Sequence, residues 1–263
     1  MRRKMRRGPA VVSLALTMAL GLPSCWAGVT VATVGDSFAD SVYLGLRSQP
    51  KLLKQHNITL VRWSRPIIGL VRTDYFDYAT WLRETNNLGK VDLCIAQVGA
   101  NDVQAIPLSK GKWVRLLSDP WNTLYTERVQ AVEETLTTRR CRQTIWILQP
   151  GYQKNAFLKR YHGQLNDLQK AALDPGRTLV FEIATEAGDY GQDGIHYSGP
   201  FCLKLAQAMI RLLDACQQFA PESCYSCHSR VDLKAKLVPS DLAPLHLVMP
   251  GRGRPALAAA GGW

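Results

Sequence analysis

Short apolar runs alternate with amphipathic stretches along most of the chain. Runs rich in β-branched and aliphatic residues predict strands, and the stretches between them carry apolar residues at helical spacing. The predicted strands are 30–34, 57–63, 91–98, 144–148 and 178–183, and the predicted helices are 40–46, 76–88, 121–138, 158–172 and 199–216. This repeated order predicts the α/β class: a three-layer α/β/α sandwich with a parallel sheet of about five strands and right-handed crossovers. The stretch from 108 to 119 fits neither pattern and is predicted to be an inserted loop.

Polar or glycine-rich turns follow the first three predicted strands. Ser37 closes a Gly-Asp-Ser turn after the first strand, Gly69 lies in the loop after the second, and Asn101 lies in a Gly-Ala-Asn-Asp turn after the third. In an open parallel sheet, ligands bind beyond the carboxyl ends of the strands, near the point where the strand order reverses. These three residues are therefore expected to meet at one rim of the sheet.

A fourth turn lies just ahead of the last predicted helix and contains Asp193-Gly194-Ile195-His196. An aspartate three residues before a histidine, with glycine between them, can accept a hydrogen bond from Nδ1 while Nε2 faces elsewhere. Ester hydrolysis needs a nucleophile, a base, a group that orients the base, and donors for the oxyanion. We assign these roles to Ser37, His196 and Asp193, and the oxyanion hole to the N–H groups of Ser37 and Gly69 with the Asn101 amide.

Each of these residues also has a structural interpretation. The serine could be only a helix cap, the loop glycine only a turn, the asparagine a turn former, and the histidine a capped core residue. Their coincidence at successive strand ends favours catalysis over four independent structural roles. Asp36 and Asp102 are assigned to structure, as acceptors for backbone N–H groups of the loops. Arg65 and Arg72 are expected near the rim, where they would either meet an anionic substrate or remain plain surface charges.

The same four blocks resemble a known group, the SGNH or GDSL-type hydrolase superfamily, over about residues 29–215. They are Gly35-Asp36-Ser37, Gly69, Gly99-Ala100-Asn101-Asp102 and Asp193-Gly194-Ile195-His196. Residues 64–72, 74–77 and the helix containing Trp121, Tyr125, Arg128 and Val129 are similar to a bacterial envelope branch formerly of unknown function. That branch is itself similar to the SGNH domains of some polysaccharide O-acetyltransferases. The resemblance implies a flavodoxin-like sandwich and esterase or acyl-transfer chemistry that uses no metal or other cofactor.

The first 27 residues have the pattern of a secretory signal peptide. Five basic residues between positions 2 and 7 precede an apolar run from 9 to 22, which is too short to span a bilayer comfortably, and small residues follow. Cleavage after Ala27 would yield a soluble periplasmic or secreted protein. The alternative is a lipoprotein box ending at Cys25, which would carry a lipid anchor. The predicted domains are then 1–27 as the signal, 28–218 as the hydrolase domain and 219–263 as a C-terminal extension.

The composition limits the kinds of partner that the protein is expected to bind. The chain has 46% hydrophobic and 20% charged residues, which is typical of a globular protein. Its net charge is +11, but five of the positive charges lie in the predicted signal. What remains contains no cluster of lysine and arginine with interleaved aromatic residues, so nucleic-acid binding is not expected.

The chain has seven cysteines, and an exported protein with seven cysteines is expected to use disulfides. Cys94 lies in the middle of a predicted strand and is predicted to be a buried free thiol. Disulfide pairing among the others stays open. Cys224, Cys227 and His228 match the pattern of c-type haem attachment, but a proline-rich and glycine-rich tail, predicted to be loosely structured, follows them.

The residues therefore support one main hypothesis and two alternatives. The main one is an exported serine esterase acting on a small ester or on an acylated cell-envelope or extracellular glycan. One alternative is an SGNH module with vestigial chemistry that binds glycans or assists an envelope complex. The other is an electron-transfer protein built on the haem pattern.

Overall fold

The fold of the chain is given by a computed structural model, which describes residues 28–109, 111–152, 154–217 and 243–248. The strands are β1 (Val29–Gly35), β2 (Ile58–Ser64), β3 (Val91–Gln97), β4 (Ile106–Ser109), β5 (Lys112–Val114), β6 (Cys141–Ile147), β7 (Thr178–Ile183) and β8 (Leu245–Leu247). The helices are α1 (Ser37–Arg47), α2 (Pro50–Gln55), α3 (Tyr78–Glu84), α4 (Asp119–Thr135), α5 (Ala156–Ala172) and α6 (Gly199–Gln217). A π-helical turn covers Leu136–Arg140 and a 3₁₀ turn covers Ala187–Asp189.

The main sheet has the order β2-β1-β3-β6-β7-β8. The first five strands in this order run parallel, and β8 is antiparallel to β7. The chain moves outward from β1 to β2 and then returns to the other side of β1 with β3, so the strand order reverses between β1 and β3. This arrangement confirms the predicted α/β fold and places the turns after β1, β2 and β3 at one rim.

Helices cover both faces of the sheet. On one face α3, α4 and α5 enclose an apolar cluster that includes Tyr78, Trp121 and Trp146. On the other face α1 and α6 pack against each other over a cluster that includes Phe38 and Phe201. Burial of both faces explains why β1 and β3 are almost continuously apolar.

Three elements depart from the predicted pattern. The predicted inserted loop, 108–119, overlaps an antiparallel hairpin of β4 and β5, in which Ile106 is buried. Helix α2 begins with Pro50 and contains no buried residue, so it has no apolar stripe that periodicity could detect. The prediction of a loose tail is wrong for residues 243–248, because β8 pairs with the edge of β7 and buries Leu245.

The prediction of a free thiol at Cys94 is also wrong. Cys94 forms a disulfide with Cys141, and their Cα atoms are 5.7 Å apart. The bond joins β3 to β6, which are neighbours in the sheet although 47 residues separate the two cysteines. Cys202 is half-buried and forms no disulfide with another described residue. Cys25, Cys224, Cys227 and His228 lie outside the described residues, and so does the predicted signal.

Within the part of the chain that the structure describes, no helix has both the length and the apolar character needed to cross a membrane.

Candidate active site

The turn between β1 and α1 presents Ser37 at the rim of the sheet. Gly35 has φ +131°, and a Cβ there would collide with the Gln97 carbonyl, so only glycine fits. Asp36 caps α1 by accepting a hydrogen bond from the Phe38 N–H at 2.9 Å. Ser37 is thus the first residue of the helix, where its own N–H has no intrahelical acceptor.

Three side chains from two distant segments meet at this turn. The Ser37 Oγ lies 2.9 Å from Nε2 of His196, and Nδ1 of the same ring lies 2.6 Å from Oδ2 of Asp193. The exposed fractions of the His196 and Asp193 side chains are 46% and 48%. The structure therefore brings together the predicted nucleophile, base and orienting carboxylate in hydrogen-bonded order, at an open surface.

The loop that carries Asp193 and His196 is closed at its base and turned by glycine. Tyr190 and Tyr197 form a β-bridge, and the Gly191 N–H donates to the His196 carbonyl at 2.8 Å. Gly194 has φ +66°, a conformation that favours glycine. These contacts let the short Asp-x-x-His segment curl so that the carboxylate reaches the imidazole.

The Asp193 carboxylate is held in its charged form. Its Oδ1 accepts hydrogen bonds from the N–H groups of Ile195 and His196, at 2.9 and 3.0 Å, while Oδ2 takes the bond from the ring. Partial desolvation opposes ionisation, but these hydrogen bonds outweigh it and lower the pKa of Asp193. With Asp193 charged, Nδ1 carries the imidazole proton and Nε2 faces Ser37 as an acceptor.

The predicted oxyanion donors lie on two neighbouring loops. The Asn101 amide donates to the Ile68 carbonyl at 2.7 Å, and its second amide hydrogen is still available for another acceptor. The N–H groups of Ser37 and Gly69 have no hydrogen-bond partner among the described residues. A Cβ on Gly69 would collide with the Asp102 carboxylate, which explains glycine at this position.

Two buried carboxylates fasten these loops from below. Oδ2 of Asp36 accepts from the Gly99 and Ala100 N–H groups, each at 2.9 Å. Oδ1 of Asp102 accepts from the N–H groups of Leu70 and Val71, at 2.6 and 3.1 Å. The predicted structural role of both aspartates is confirmed. Burial raises the pKa of Asp36 to about 6 and that of Asp102 to about 7, although the N–H groups oppose the change.

Helices α4 and α5 add a buried polar network that the sequence does not reveal. Gln169 donates to the Val98 carbonyl and to the Tyr125 hydroxyl, both at 2.8 Å, and accepts from the Trp146 indole at 3.0 Å. Arg128 donates to the carbonyls of residues 70 and 71, at 2.9 and 2.7 Å. The only signal in the sequence is the aromatic and basic pattern of α4. Periodicity alone identifies these residues as helix positions and not as supports for the loops.

The two arginines predicted near the rim have different environments. Arg72 forms a bidentate ion pair with Asp74, at 2.8 and 2.9 Å. Arg65 is exposed, and its guanidinium lies over the ring of Phe76 at 4.5 Å and that of Trp81 at 5.3 Å. Among the described residues, no His, Cys, Asp and Glu side chains cluster in a way that could hold a metal ion.

The sheet order and the hydrogen-bonded serine, histidine and aspartate at its rim define an α/β protein with a candidate Ser-His-Asp site. A family model described as "Protein of unknown function (DUF459)" matches residues 30–199, and the chain belongs to this family. No curated protein matches the chain.

Solved structures are similar at the level of the fold. One aligns with a TM-score of 0.50 and 14% identity, over 72% of this chain and 97% of its own. A candidate SGNH hydrolase from Slackia heliotrinireducens aligns with a TM-score of 0.45 and 15% identity, over 70% of this chain and 98% of its own. The psychrotrophic esterase EstA from Pseudoalteromonas sp. aligns with a TM-score of 0.42 and 13% identity, over 72% and 97%. The alignment with a TM-score of 0.50 agrees with the predicted α/β fold.

Proposed function

We propose that this protein is an exported serine esterase that removes or transfers acyl groups, such as acetyl, on cell-envelope or extracellular glycans. The observation that carries the proposal is the hydrogen-bonded series from Ser37 through His196 to Asp193, with distances of 2.9 and 2.6 Å. A serine next to a base that is itself oriented by a third group is the arrangement that activates a hydroxyl for acyl transfer.

The reaction follows from this geometry. The Ser37 Oγ attacks the acyl carbonyl carbon while its proton passes to Nε2 of His196, and the carbonyl oxygen becomes an oxyanion. Collapse of this intermediate breaks the bond between the acyl carbon and the sugar oxygen. The sugar oxygen then takes the proton that Nε2 received from Ser37. The acyl group then sits on Ser37. Water repeats the two steps and releases the acid, whereas a second sugar hydroxyl in the place of water gives acyl transfer.

The oxyanion would be bound by the free N–H groups of Ser37 and Gly69 and by the second hydrogen of the Asn101 amide. Donors held before the reaction stabilise the charge as it forms without reorganising. The fastening of these loops by Asp36 and Asp102 supports that role, because buried hydrogen bonds keep the donors in place.

Two features support a polymeric substrate and an exported protein. Nearly half of the His196 and Asp193 side-chain surface is exposed, so a polymer could reach the triad without first opening a cavity. The Cys94–Cys141 disulfide is of the kind found in oxidising compartments, which agrees with the leader pattern in residues 1–27.

Labelling and kinetics together test the proposal. A fluorophosphonate probe should modify Ser37, and 4-nitrophenyl acetate should be hydrolysed through an acyl-enzyme on the same residue. Ser37→Ala should abolish both, while Ser48→Ala, at the far end of α1, should leave both unchanged. Full turnover by Ser37→Ala, with a native circular dichroism spectrum, would reject the serine mechanism.

A further inference from the structure

The loop from residue 65 to 69 connects the strand next to the nucleophile with one of the proposed oxyanion donors. Ser64, the last residue of β2, pairs in register with Gly35, the last residue of β1. The Arg65 N–H continues this pairing by donating to the Gly35 carbonyl at 2.8 Å. Gly69 ends the loop against Asp102. The loop thus begins beside the end of β1, two residues before Ser37, and ends at Gly69 in the candidate active site.

Arg65 is held in place without being neutralised. Its guanidinium lies over two aromatic rings, those of Phe76 and Trp81, at 4.5 and 5.3 Å, and the residue is exposed. Within the described residues it has no carboxylate partner, whereas Arg62 pairs with Asp40 and Arg72 pairs with Asp74. Stacking on aromatic faces limits the rotamers of an arginine but leaves its N–H donors free. Such an arginine is prepared to bind an anion.

Ile67 has an exposed apolar side chain on a strained backbone conformation. Its φ is +73°, in the left-handed region that β-branched residues avoid. It follows Pro66, and a proline followed by a residue with positive φ normally calls for glycine at the second position. The side chain is nevertheless 74% exposed, so burial does not compensate for the strain. Strain of this kind concentrates at functional sites, and here it holds an aliphatic surface between Arg65 and Gly69.

We propose that this loop selects acidic glycans as substrates. Arg65 binds a carboxylate or phosphate group on the sugar chain, and Ile67 packs on the apolar face of a sugar ring while the acyl ester lies at Ser37. This inference rests on the function proposed above and names its substrate class.

The test compares acidic and neutral polymers on the same enzyme. Acetate release is measured from O-acetylated polygalacturonate and from acetylated glucomannan, with 4-nitrophenyl acetate as a substrate that has no sugar. The wild type should favour the acidic polymer about tenfold in kcat/KM, as expected for one charge-assisted contact. Arg65→Gln should bring that ratio close to one. Salt should lower the wild-type ratio in the same way.

Arg47→Gln is the matched control, because it removes one positive charge from the other end of α1, about 15 Å along the helix from Ser37. It should keep the wild-type ratio, which separates local recognition from net charge. An Arg65→Gln enzyme with the wild-type ratio, or a wild type without preference that still hydrolyses 4-nitrophenyl acetate, would overturn the inference and leave the esterase proposal standing. Loss of Ser37-dependent turnover on every substrate would instead count against the esterase proposal.

Ile67→Gly tests the second contact. Glycine relieves the strained φ, so thermal stability should be equal or higher, while KM for both polymers should rise severalfold relative to KM for 4-nitrophenyl acetate. An unchanged KM for the polymers would remove Ile67 from the proposal. Inhibition by unacetylated oligogalacturonides more than by a glycerol phosphate polymer identifies a carboxylate as the anion, and the reverse identifies a phosphate. If neither anion inhibits, the acidic-glycan inference is wrong.

Discussion

The candidate site uses aspartates in two different environments. Asp36 and Asp102 are fully buried beneath the loops, where both oxygens of Asp36 and Oδ1 of Asp102 accept from backbone N–H groups. Asp193 is half-exposed on the last loop and bonds the imidazole of His196. Burial raises the pKa of the first two, whereas hydrogen bonds to the charged form overcome partial desolvation and lower the pKa of the third.

The difference assigns separate tasks to one residue type. The buried pair holds the geometry of the loops, and in the proposed mechanism the exposed aspartate orients the base. Environments that push the pKa values of neighbouring carboxyl groups apart commonly separate roles in this way. Substitutions should therefore separate as well, into those that cost catalysis alone and those that cost the fold first.

Asp193→Asn should give the largest effect. An asparagine in place of the carboxylate no longer stabilises the imidazolium or fixes the tautomer, so kcat should fall about 10³-fold. Because the side chain is half-exposed, the free energy of unfolding should change by less than about 0.5 kcal/mol. Stopped-flow kinetics and urea unfolding measure the two quantities on the same preparation. Asp119→Asn, on the surface of α4, serves as the control. A variant with wild-type kcat would show that Asp193 is not the orienting group.

Asp36→Asn should have the opposite profile. The asparagine has one carbonyl oxygen, so its amide group would face N–H donors of Phe38 or of residues 99 and 100. Leaving buried donors without acceptors should lower the free energy of unfolding by about 2–3 kcal/mol. Chemical denaturation gives this value directly. If Asp36→Asn lost activity while keeping wild-type stability, the separation of roles drawn here would fail.

The response to pH should also distinguish the two groups. The raised pKa values of Asp36 and Asp102, about 6 and 7, exceed the ordinary value of 3.8. The folded protein therefore binds more protons than the unfolded chain between about pH 4 and 7, and its stability should fall by a few kcal/mol as pH rises through that window. The lowered pKa of Asp193 acts only below that window.

Urea unfolding between pH 5 and 7.5 measures this trend, and Asp102→Asn should flatten it because it removes one of the two carboxyl groups whose pKa burial raises. Stability that increases with pH in the wild type would contradict the assignment of raised pKa values to the buried pair.

The parts of this structure that sequence could predict are those with local signals. A β-branched run that ends in glycine indicates both the strand and its turn, which is why β1 and the position of Ser37 could be predicted together. The Asp-x-x-His segment likewise folds through contacts within itself, because Gly194 and the two N–H groups that bind Asp193 lie within four residues. Parallel topology then brings these local turns to one rim.

What could not be predicted depends on contacts between distant segments. The disulfide partner of Cys94 follows from β6 lying next to β3, which no property of either strand reveals. Strand β8 is three residues long and pairs with an edge that is specified only once the sheet exists. Gln169 supports the turn at Val98 across 71 residues of sequence. In each case, a local pattern determines the element and the tertiary fold determines its partner.

Lys154 is a further residue whose role depends on a contact with a distant segment. Its Nζ donates to the Gln192 carbonyl at 2.8 Å, and its aliphatic stem packs so closely on Gly194 that a Cβ there would collide with it. It therefore holds the turn between Asp193 and His196 from outside the loop. Lysine does this in two ways, through an apolar stem and a charged donor.

Lys154→Met should separate these contributions, because it keeps most of the stem and removes the donor. We expect kcat to fall about three- to tenfold with KM for 4-nitrophenyl acetate unchanged, since the His196 ring would be less well oriented while substrate contacts remain. Lys154→Arg should recover much of the loss, because it restores a donor that can reach the carbonyl. Lys159→Met, on the exposed side of α5, is the matched control. Equal kcat for Lys154→Met and the wild type would show that the backbone contacts of the loop alone are enough to hold Asp193 and His196.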